Sequence, residues 1–197
     1  MKKIIQFYAL SLISLSVIFS SCSKTETTTA SSDENSDTTT AVAEEPAKEE
    51  IPSPLKKVSG EVDGVQVNMQ YGSPGVKERN IWGDLVPYNE VWRTGANEAT
   101  WIEFDKDVTI AGQKIPKGKY GLFTIPAESE WTVILNKVWD QWGAYDYDEK
   151  EDLARFNVVP QKSGSAKERM EFSVDDDVTF AWENLTFSFD IEPATEG

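Results

Sequence analysis

Two aromatic-rich segments carry the side chains best suited to bind a ligand. The first runs from Tyr71 to Thr100 and combines tryptophans with arginine, asparagine and glycine in one long connection. Long ordered loops of this kind are where binding residues concentrate. The second runs from Trp139 to Asp148 and places aromatic rings beside carboxylates and an amide, a composition suited to stacking on sugar rings. The candidate binding residues are Trp82, Arg93, Asn97, Glu98, Trp142, Tyr145 and Asp146.

The same residues also have a structural interpretation. Tryptophans in a β domain without disulfides commonly pack in the core or at its rim. Arg93 presents a planar fork of donors, for which Glu98 or Asp84 is the obvious internal partner. A polar network of Arg93, Asn97 and Glu98 would then hold the long loop against the sheet. The sequence leaves the ligand-facing and the structural interpretation both open.

The chain contains no histidine. This excludes a Ser-His-Asp triad, a Cys-His pair and the histidine-based zinc sites. A hydrolase using paired carboxylates stays possible, because glycoside cleavage needs only two acids about 5 to 9.5 Å apart, and Glu98 with Asp146 is the candidate pair. The acidic run 146–152 suggests calcium, but it lacks the glycine and closing glutamate of an EF-hand. We therefore assign no catalytic residue, no metal ligand and no cofactor.

The first residues have the features of an export signal. Lys2 and Lys3 precede the apolar stretch Ile4–Phe19, and small residues lead to Cys22. This pattern predicts a signal peptide over residues 1–21 and resembles the lipobox of bacterial lipoproteins, with Cys22 carrying acyl chains such as palmitate. Two or more acyl chains make anchoring stable. We expect a lipid-anchored protein of the cell envelope, and Ser23 favours the outer membrane by analogy with other lipoproteins.

The rest of the chain divides by composition. Residues 22–50 are rich in Thr, Ser, Ala and Glu with no aromatic residue, which predicts a disordered tether after the lipidated cysteine. Residues 51–197 hold all seven tryptophans and form the single predicted domain. Cys22 is the only cysteine, so no disulfide is available. The formal charge of −15 argues against nucleic acid as a partner.

Period-two alternation dominates residues 51–197. It is clearest at Val65–Tyr71, Met170–Val174 and Leu185–Ile191, and about nine short segments of this type are separated by turn signals. The spacing predicts an all-β fold, an antiparallel β-sandwich of jelly-roll-like or immunoglobulin-like type, with an open barrel as the alternative. Helical signal is confined to a turn or two at Asp84–Trp92 and one short helix at Asp148–Ala154.

Several motifs together resemble a known family. They are the run Ile-Trp-Gly-Asp-Leu-Val-Pro-Tyr-Asn-Glu-Val-Trp-Arg-Thr-Gly-Ala-Asn-Glu-Ala-Thr at 81–100, Pro-Lys-Gly-Lys-Tyr-Gly-Leu-Phe-Thr-Ile-Pro at 116–126, Glu-Trp-Thr-Val-Ile-Leu-Asn at 130–136 and Gln-Trp-Gly-Ala-Tyr-Asp-Tyr at 141–147. Over roughly 51–192 the chain resembles the secreted domain of unknown function 2911 (DUF2911). The resemblance implies no activity. The chain departs from the family pattern at Ser73, where members often carry arginine.

Three functions follow in order of preference. The first is a non-enzymatic binding module of the envelope for a glycan or another small polar ligand, using the two aromatic-rich segments. The second is a structural or assembly partner that docks another envelope protein. The third is the carboxylate-dependent hydrolase.

Overall fold

The computed structural model describes residues 52–195, and every structural statement below refers to this part of the chain. The predicted signal peptide, Cys22 and the tether lie outside the described residues. In chain order the strands are β1 (Leu55–Val62), β2 (Val65–Gly72), β3 (Trp101–Phe104), β4 (Val108–Ile110), β5 (Gln113–Ile115), β6 (Gly118–Ile125), β7 (Trp131–Asn136), β8 (Asp152–Val158), β9 (Gln161–Val174), β10 (Val178–Phe189) and β11 (Glu192–Pro193), and a 3-10 helix (Glu149–Glu151) precedes β8.

Six strands form the main sheet, in the order β1-β2-β3-β6-β7-β8, and every neighbouring pair is antiparallel. The chain therefore passes up and down through the sheet, and only the β4–β5 hairpin interrupts the sequence between β3 and β6. The register places Met69 opposite Ile102 and Leu122 opposite Leu135. These apolar pairs share one face of the sheet because side chains alternate along a strand.

A long hairpin of β9 and β10 packs against this apolar face. Rings from the hairpin meet rings from the main sheet: Phe172 lies 5.2 Å from Tyr71, and Phe189 lies 5.2 Å from Phe156. A third sheet, in the order β11-β4-β5, completes the fold. The predicted all-β fold with antiparallel sheets packed together is confirmed.

The core between the layers is rich in tryptophan. Trp131 and Trp182 are among its largest fully buried side chains. Trp82 packs edge-on against both, with ring centroids 4.9 Å and 5.7 Å away, and Trp92 stacks on Trp182 at 5.9 Å. Because aromatic rings bury large areas and prefer such offset or edge contacts, this cluster stabilises the junction between the sheet and the hairpin.

The opposite face of the main sheet carries a smaller apolar cluster. Phe123 of β6 and Ile134 of β7 are fully buried there beside Ala99. Val91 and Tyr147, which are partly buried, pack over these side chains. The two aromatic-rich segments therefore cover part of the sheet's second face.

Helical structure is limited among the described residues. Asp84–Trp92 contains turns and isolated bridges rather than a helix, and the helix predicted at Asp148–Ala154 is reduced to the single 3-10 turn. The segment predicted at Leu185–Ile191 lies largely in β10, which already begins at Val178 and bulges between Ala181 and Leu185. Within residues 52–195, no helix has the length and apolarity needed to cross a lipid bilayer.

Candidate functional site

The family-like run around Trp92 leaves the main sheet and returns to it as a closed loop. Trp92 exchanges backbone hydrogen bonds with Thr124 of β6, at 2.8 and 2.9 Å. The chain re-enters the sheet at Thr100, whose carbonyl accepts from the N–H of Leu122 at 2.8 Å. The N–H of Thr100 donates to the carbonyl of Arg93 at 3.2 Å. We call residues 93–100 the 93–100 loop.

Two buried threonines hold the inside of this loop. The hydroxyl of Thr100 donates to the carbonyl of Thr94 at 2.8 Å, and the hydroxyl of Thr94 bonds to the hydroxyl of Thr124 at 3.1 Å. Thr94 has a φ of 51° and Asn97 a φ of 65°. A β-branched residue rarely adopts a positive φ, and such strained positions persist only where their surroundings fix them. The threonine hydroxyls supply that support.

Two glycines let the loop approach the end of β2. The N–H of Ala96 donates to the carbonyl of Gly72 at 3.2 Å. A Cβ at Gly72 would lie 1.9 Å from the carbonyl oxygen of Ala96, and one at Gly95 would lie 2.9 Å from the hydroxyl of Thr100. No side chain fits at Gly72 without displacing the backbone, so the loop position depends on glycine there.

A cavity of about 280 Å³ lies beside the 93–100 loop. Its walls come from the loop, from the segment 74–86 and from β10. The lining residues are Ser53, Pro74, Arg79, Leu85, Val86, Trp92, Arg93, Gly95, Ala96, Asn97 and Trp182. We call it the loop cavity. It contains two of the predicted site residues, Arg93 and Asn97.

Arg93 does not make the internal ion pair considered from the sequence. No carboxylate of residues 52–195 lies within 4.0 Å of its guanidinium, so neither Glu98 nor Asp84 is its partner. Its Nε is buried and has no hydrogen-bond partner. Burial lowers the pKa of Arg93 from its ordinary value, and the nearby phenol of Tyr145 opposes this effect. The polar network of Arg93, Asn97 and Glu98 is therefore not formed.

Trp182, which also lines the loop cavity, has a second buried donor. Its side chain is 1% exposed, and its indole Nε1 has no hydrogen-bond partner among the described residues. Asn97, by contrast, is engaged: its Nδ2 donates to the carbonyl of Ser53 at 3.3 Å. Arg79 is engaged as well, because its guanidinium donates to the carbonyls of Gly75 and Val76.

The second aromatic-rich segment is joined to the outside of the 93–100 loop. Glu98 and Trp142 form an antiparallel bridge, and the N–H of Gly143 donates to the carbonyl of Asn97 at 3.0 Å. Trp142 is 58% exposed and Tyr145 is 85% exposed. We call these two rings the aromatic rim. The structure thus brings the two predicted segments together by their backbones, while these aromatic side chains face solvent.

The remaining predicted residues divide between packing and the surface. Trp82 packs in the tryptophan cluster, and its Nε1 donates to Glu183 Oε2 at 3.1 Å. It also lines a separate cavity of about 540 Å³, whose charged lining residues are Arg79, Asp84 and Glu183. Glu98 and Asp146 are both exposed, and neither side chain has a hydrogen bond to another described residue that would orient it as an acid or base.

The acidic run after Asp146 is used for local structure. Asp148 caps the 3-10 helix by accepting from the N–H of Lys150 at 3.0 Å. Asp152 accepts from Tyr147 at 2.7 Å and from Arg155 at 2.7 Å. Burial, followed by the hydrogen bond to Asp152 and the charge of that carboxylate, raises the pKa of Tyr147 to about 12, while Arg155 opposes this shift. No group of three or more acidic, cysteine or histidine side chains able to hold a metal occurs in residues 52–195.

Sequence reasoning missed Trp182 and Arg79 as lining residues of the loop cavity. Trp182 lies on β10, 89 positions after Arg93. The alternating apolar pattern of this strand predicts that Trp182 is buried, but it does not predict which residues it lies near. Arg79 was within the first aromatic-rich segment, and its charge was the one signal that could have indicated it.

Comparison with known proteins gives a family without an assigned activity. No curated protein and no solved structure matches the chain. A family model described as a protein of unknown function matches residues 53–191, a range that includes all of the main sheet, the 93–100 loop and the β9–β10 hairpin. The chain therefore belongs to the DUF2911 family.

Proposed function

We propose that this protein is a lipid-anchored binding module of the cell envelope and that its loop cavity takes up a small polar ligand. The anchor would be acylated Cys22, and residues 22–50 would give the domain reach from the membrane. The proposal keeps the binding function expected from the sequence, but it places the ligand at the loop cavity rather than on the exposed aromatic side chains. The ligand would sit at the loop cavity, between the 93–100 loop and Trp182.

The observation that carries this proposal is the pair of buried donors at one cavity. Arg93 Nε and Trp182 Nε1 are both shielded from solvent, and neither has a hydrogen-bond partner within residues 52–195. A buried donor without an acceptor costs about 1–3 kcal/mol relative to one that is paired. Both residues line the loop cavity. An occupant with acceptor atoms would remove this cost once both side chains shift to present these N–H groups to it.

The architecture of the loop supports a ligand-facing role for Arg93. The loop is held by the hydroxyls of Thr94 and Thr100 and by the indole of Trp92, which donates to the carbonyl of Gly95 at 3.1 Å. The Arg93 side chain makes none of these bonds. Since its guanidinium is not needed to hold the loop, its place at the cavity wall is better explained by an occupant.

Ligand uptake is tested with the full chain purified in detergent. Thermal unfolding is followed with glucose, glucuronate, N-acetylglycine, phosphate and calcium chloride added separately. A ligand at 100 times its Kd raises the free energy of unfolding by about 2.7 kcal/mol. We expect at least one compound to raise Tm in the parent chain but not in Ala96→Leu, which fills the cavity. The matched control is Ala166→Leu, at an exposed position of β9, which should keep the ligand-induced increase in Tm.

Two results would count against uptake at the loop cavity. One is the absence of any Tm increase across the series. The other is an increase that Ala96→Leu retains in full. The anchor is tested separately by labelling cells with radioactive palmitate: Cys22→Ala should lose the label and leave the membrane fraction, and a labelled Cys22→Ala chain would exclude acylation at that residue.

A second function is favoured by the aromatic rim. Trp142 and Tyr145 are large aromatic side chains that are exposed three positions apart in sequence, and aromatic residues are enriched at protein interfaces. The rim would dock another envelope protein. A photo-crosslinking residue at Tyr145 should then yield one defined adduct in cells, whereas the same residue at Lys162 should yield none. Equal labelling from both positions would oppose this function.

A further inference from the structure

We propose that the ligand of the loop cavity carries a carboxylate group, which Arg93 and Trp182 bind together. This inference rests on the proposed uptake of a ligand at that cavity and specifies the ligand's chemical class. The carboxylate would lie between the guanidinium of Arg93 and the indole N–H of Trp182.

The unpaired groups at the cavity are all donors. A guanidinium and an indole have no acceptor atom. The Nε–H of Arg93 and an adjacent Nη–H form a planar fork that fits the two oxygens of a carboxylate. The Trp182 N–H provides a further donor for a remaining lone pair. A ligand that offered only donors or a positive charge would leave the buried N–H groups of Arg93 and Trp182 unpaired.

The charge of the cavity wall contrasts with that of the whole chain. The protein has 34 acidic and 19 basic residues, yet the lining of the loop cavity contains Arg79 and Arg93 and no carboxylate. The neighbouring cavity around Trp82 shares Arg79 but also includes Asp84 and Glu183. No carboxylate of the described chain lies within 4.0 Å of Arg79 or Arg93. The positive charge at the loop cavity thus has no internal counterion.

Partial burial makes this uncompensated charge less favourable than it would be in water. The lowered pKa of Arg93 has desolvation as its largest cause. A bound anion would offset that desolvation, because an opposite charge favours the ionised form of the guanidinium. The ligand would therefore stabilise the charged arginine, and the arginine would select for the ligand.

A singly charged, planar anion fits the cavity better than a phosphate does. Leu85, Val86, Pro74 and two tryptophans supply much of the wall, which gives few additional donors. Arg79 is already committed to the carbonyls of Gly75 and Val76. A dianion would need more hydrogen bonds than Arg93 and Trp182 provide, since buried charges without full pairing are strongly unfavourable.

The test compares ligands that differ in the carboxylate alone. Glucuronate and glucose share the sugar ring, and N-acetylglycine carries a carboxylate without the sugar. Affinities are measured by calorimetry with the full chain in detergent, and the indole N–H signals of the tryptophans are followed by NMR, with Trp182→Phe identifying the Trp182 signal. We expect glucuronate or N-acetylglycine to bind at least tenfold more tightly than glucose and to shift the Trp182 N–H signal.

Variants connect the preference to Arg93. Arg93→Gln should lose the tenfold preference for the carboxylate, and Arg93→Lys should recover only part of it, because an ammonium cannot form the planar fork. The control Lys162→Gln removes the same charge from an exposed position on β9 and should leave all affinities unchanged. The relative success of glucuronate and N-acetylglycine distinguishes a sugar acid from an acylated amino acid as the source of the carboxylate.

Each other outcome contradicts the inference in a distinct way. Equal binding of glucose and glucuronate at the cavity would retain the proposed function and overturn carboxylate recognition. Binding of phosphate alone would assign the cavity to a different anion. A carboxylate preference that survives in Arg93→Gln would place recognition elsewhere. If no compound in the series binds, both the inference and the proposed function fail.

Discussion

The hydroxyl of Thr100 donates a 2.8 Å hydrogen bond to the carbonyl of Thr94, across the neck of the 93–100 loop. Both residues are fully buried, and Thr94 has a positive φ. The bond therefore connects a strained backbone position to the first residue that re-enters the sheet. Through it, the shape of the loop and the location of Arg93 depend on a side chain that does not itself line the cavity.

Thr100→Val should lower the free energy of unfolding by about 1–3 kcal/mol. Valine has the same shape as threonine, but it leaves the buried carbonyl of Thr94 without its donor. For a domain of this size, about 1 kcal/mol corresponds to a fall of roughly 2–4 °C in Tm. Thr109→Val is the control, because the Thr109 side chain lies half-buried in β4 without a hydrogen bond to another described residue. Equal effects at the two sites would show that the bond across the loop neck contributes nothing.

The strands that alternate strictly could be predicted from the sequence. In β2, the residues Val65, Val67 and Met69 are buried and their neighbours are partly exposed, which is the pattern expected for one buried face. β1 was missed because Lys56 and Lys57 interrupt its apolar pattern, and its pairing with β2 depends on the turn at Asp63-Gly64. Strand existence is encoded locally, whereas the pairing order of distant strands is not.

The site was only partly predictable for the same reason. Arg93 and Asn97 were identified because they lie in a long connection, and binding residues concentrate in such loops. That Arg93 and Trp182 line the same cavity depends on the β9–β10 hairpin packing against the main sheet, and no local pattern encodes that packing. The positive φ of Thr94 is equally hidden, since threonine does not signal a left-handed backbone.

Arg93→Met should raise the stability of the ligand-free protein, by about 1 kcal/mol. The substitution removes a desolvated charge and an unpaired buried donor, and it keeps a long apolar side chain in place. The measurement is denaturant unfolding of the full chain in detergent. Arg79→Met is the contrasting variant: it deletes hydrogen bonds to two backbone carbonyls, so its stability should fall. A clear loss of stability in Arg93→Met would assign Arg93 a structural role.

Gly72→Ala should be among the most damaging small substitutions in the sheet. The new Cβ would lie 1.9 Å from the carbonyl oxygen of Ala96, so the end of β2 and the 93–100 loop must separate. We expect a loss of more than about 2 kcal/mol, the size associated with overpacking. Gly164→Ala in β9 is the matched control, because nothing lies within 4 Å of its added Cβ. If both variants unfold at the same Tm, the loop is not packed against Gly72 as described.

Tyr147→Phe should change how stability responds to alkaline pH. The folded protein raises the pKa of Tyr147 from 10.0 to about 12, so the neutral phenol is favoured in the folded state. A group with a raised folded pKa stabilises the protein fully below its unfolded pKa, and this stabilisation is lost as pH rises through the folded pKa. The stability difference between the parent chain and Tyr147→Phe should therefore shrink between pH 10 and 12.

The measurement is denaturant unfolding at several values between pH 8 and 11.5. Tyr71 and Tyr120 also have pKa values raised mainly by burial, but they are present in both chains and cancel in the difference. A difference that stays constant across this range would mean that Tyr147 loses its proton equally readily in the folded and unfolded states.

Trp142→Ser should leave the fold nearly unchanged, within about 0.5 kcal/mol, although it deletes a tryptophan. The bridge between Trp142 and Glu98 is formed by backbone atoms, and the side chain is 58% exposed. Trp131→Ala, which empties a fully buried position, should cost about 3–5 kcal/mol in the same unfolding measurement.

Trp142 does not line the loop cavity, so ligand affinity there should also persist in Trp142→Ser. If Trp142→Ser keeps its stability but loses cavity binding, the aromatic rim and the loop cavity act as one site; if it loses only the Tyr145 crosslink, the rim serves a protein partner.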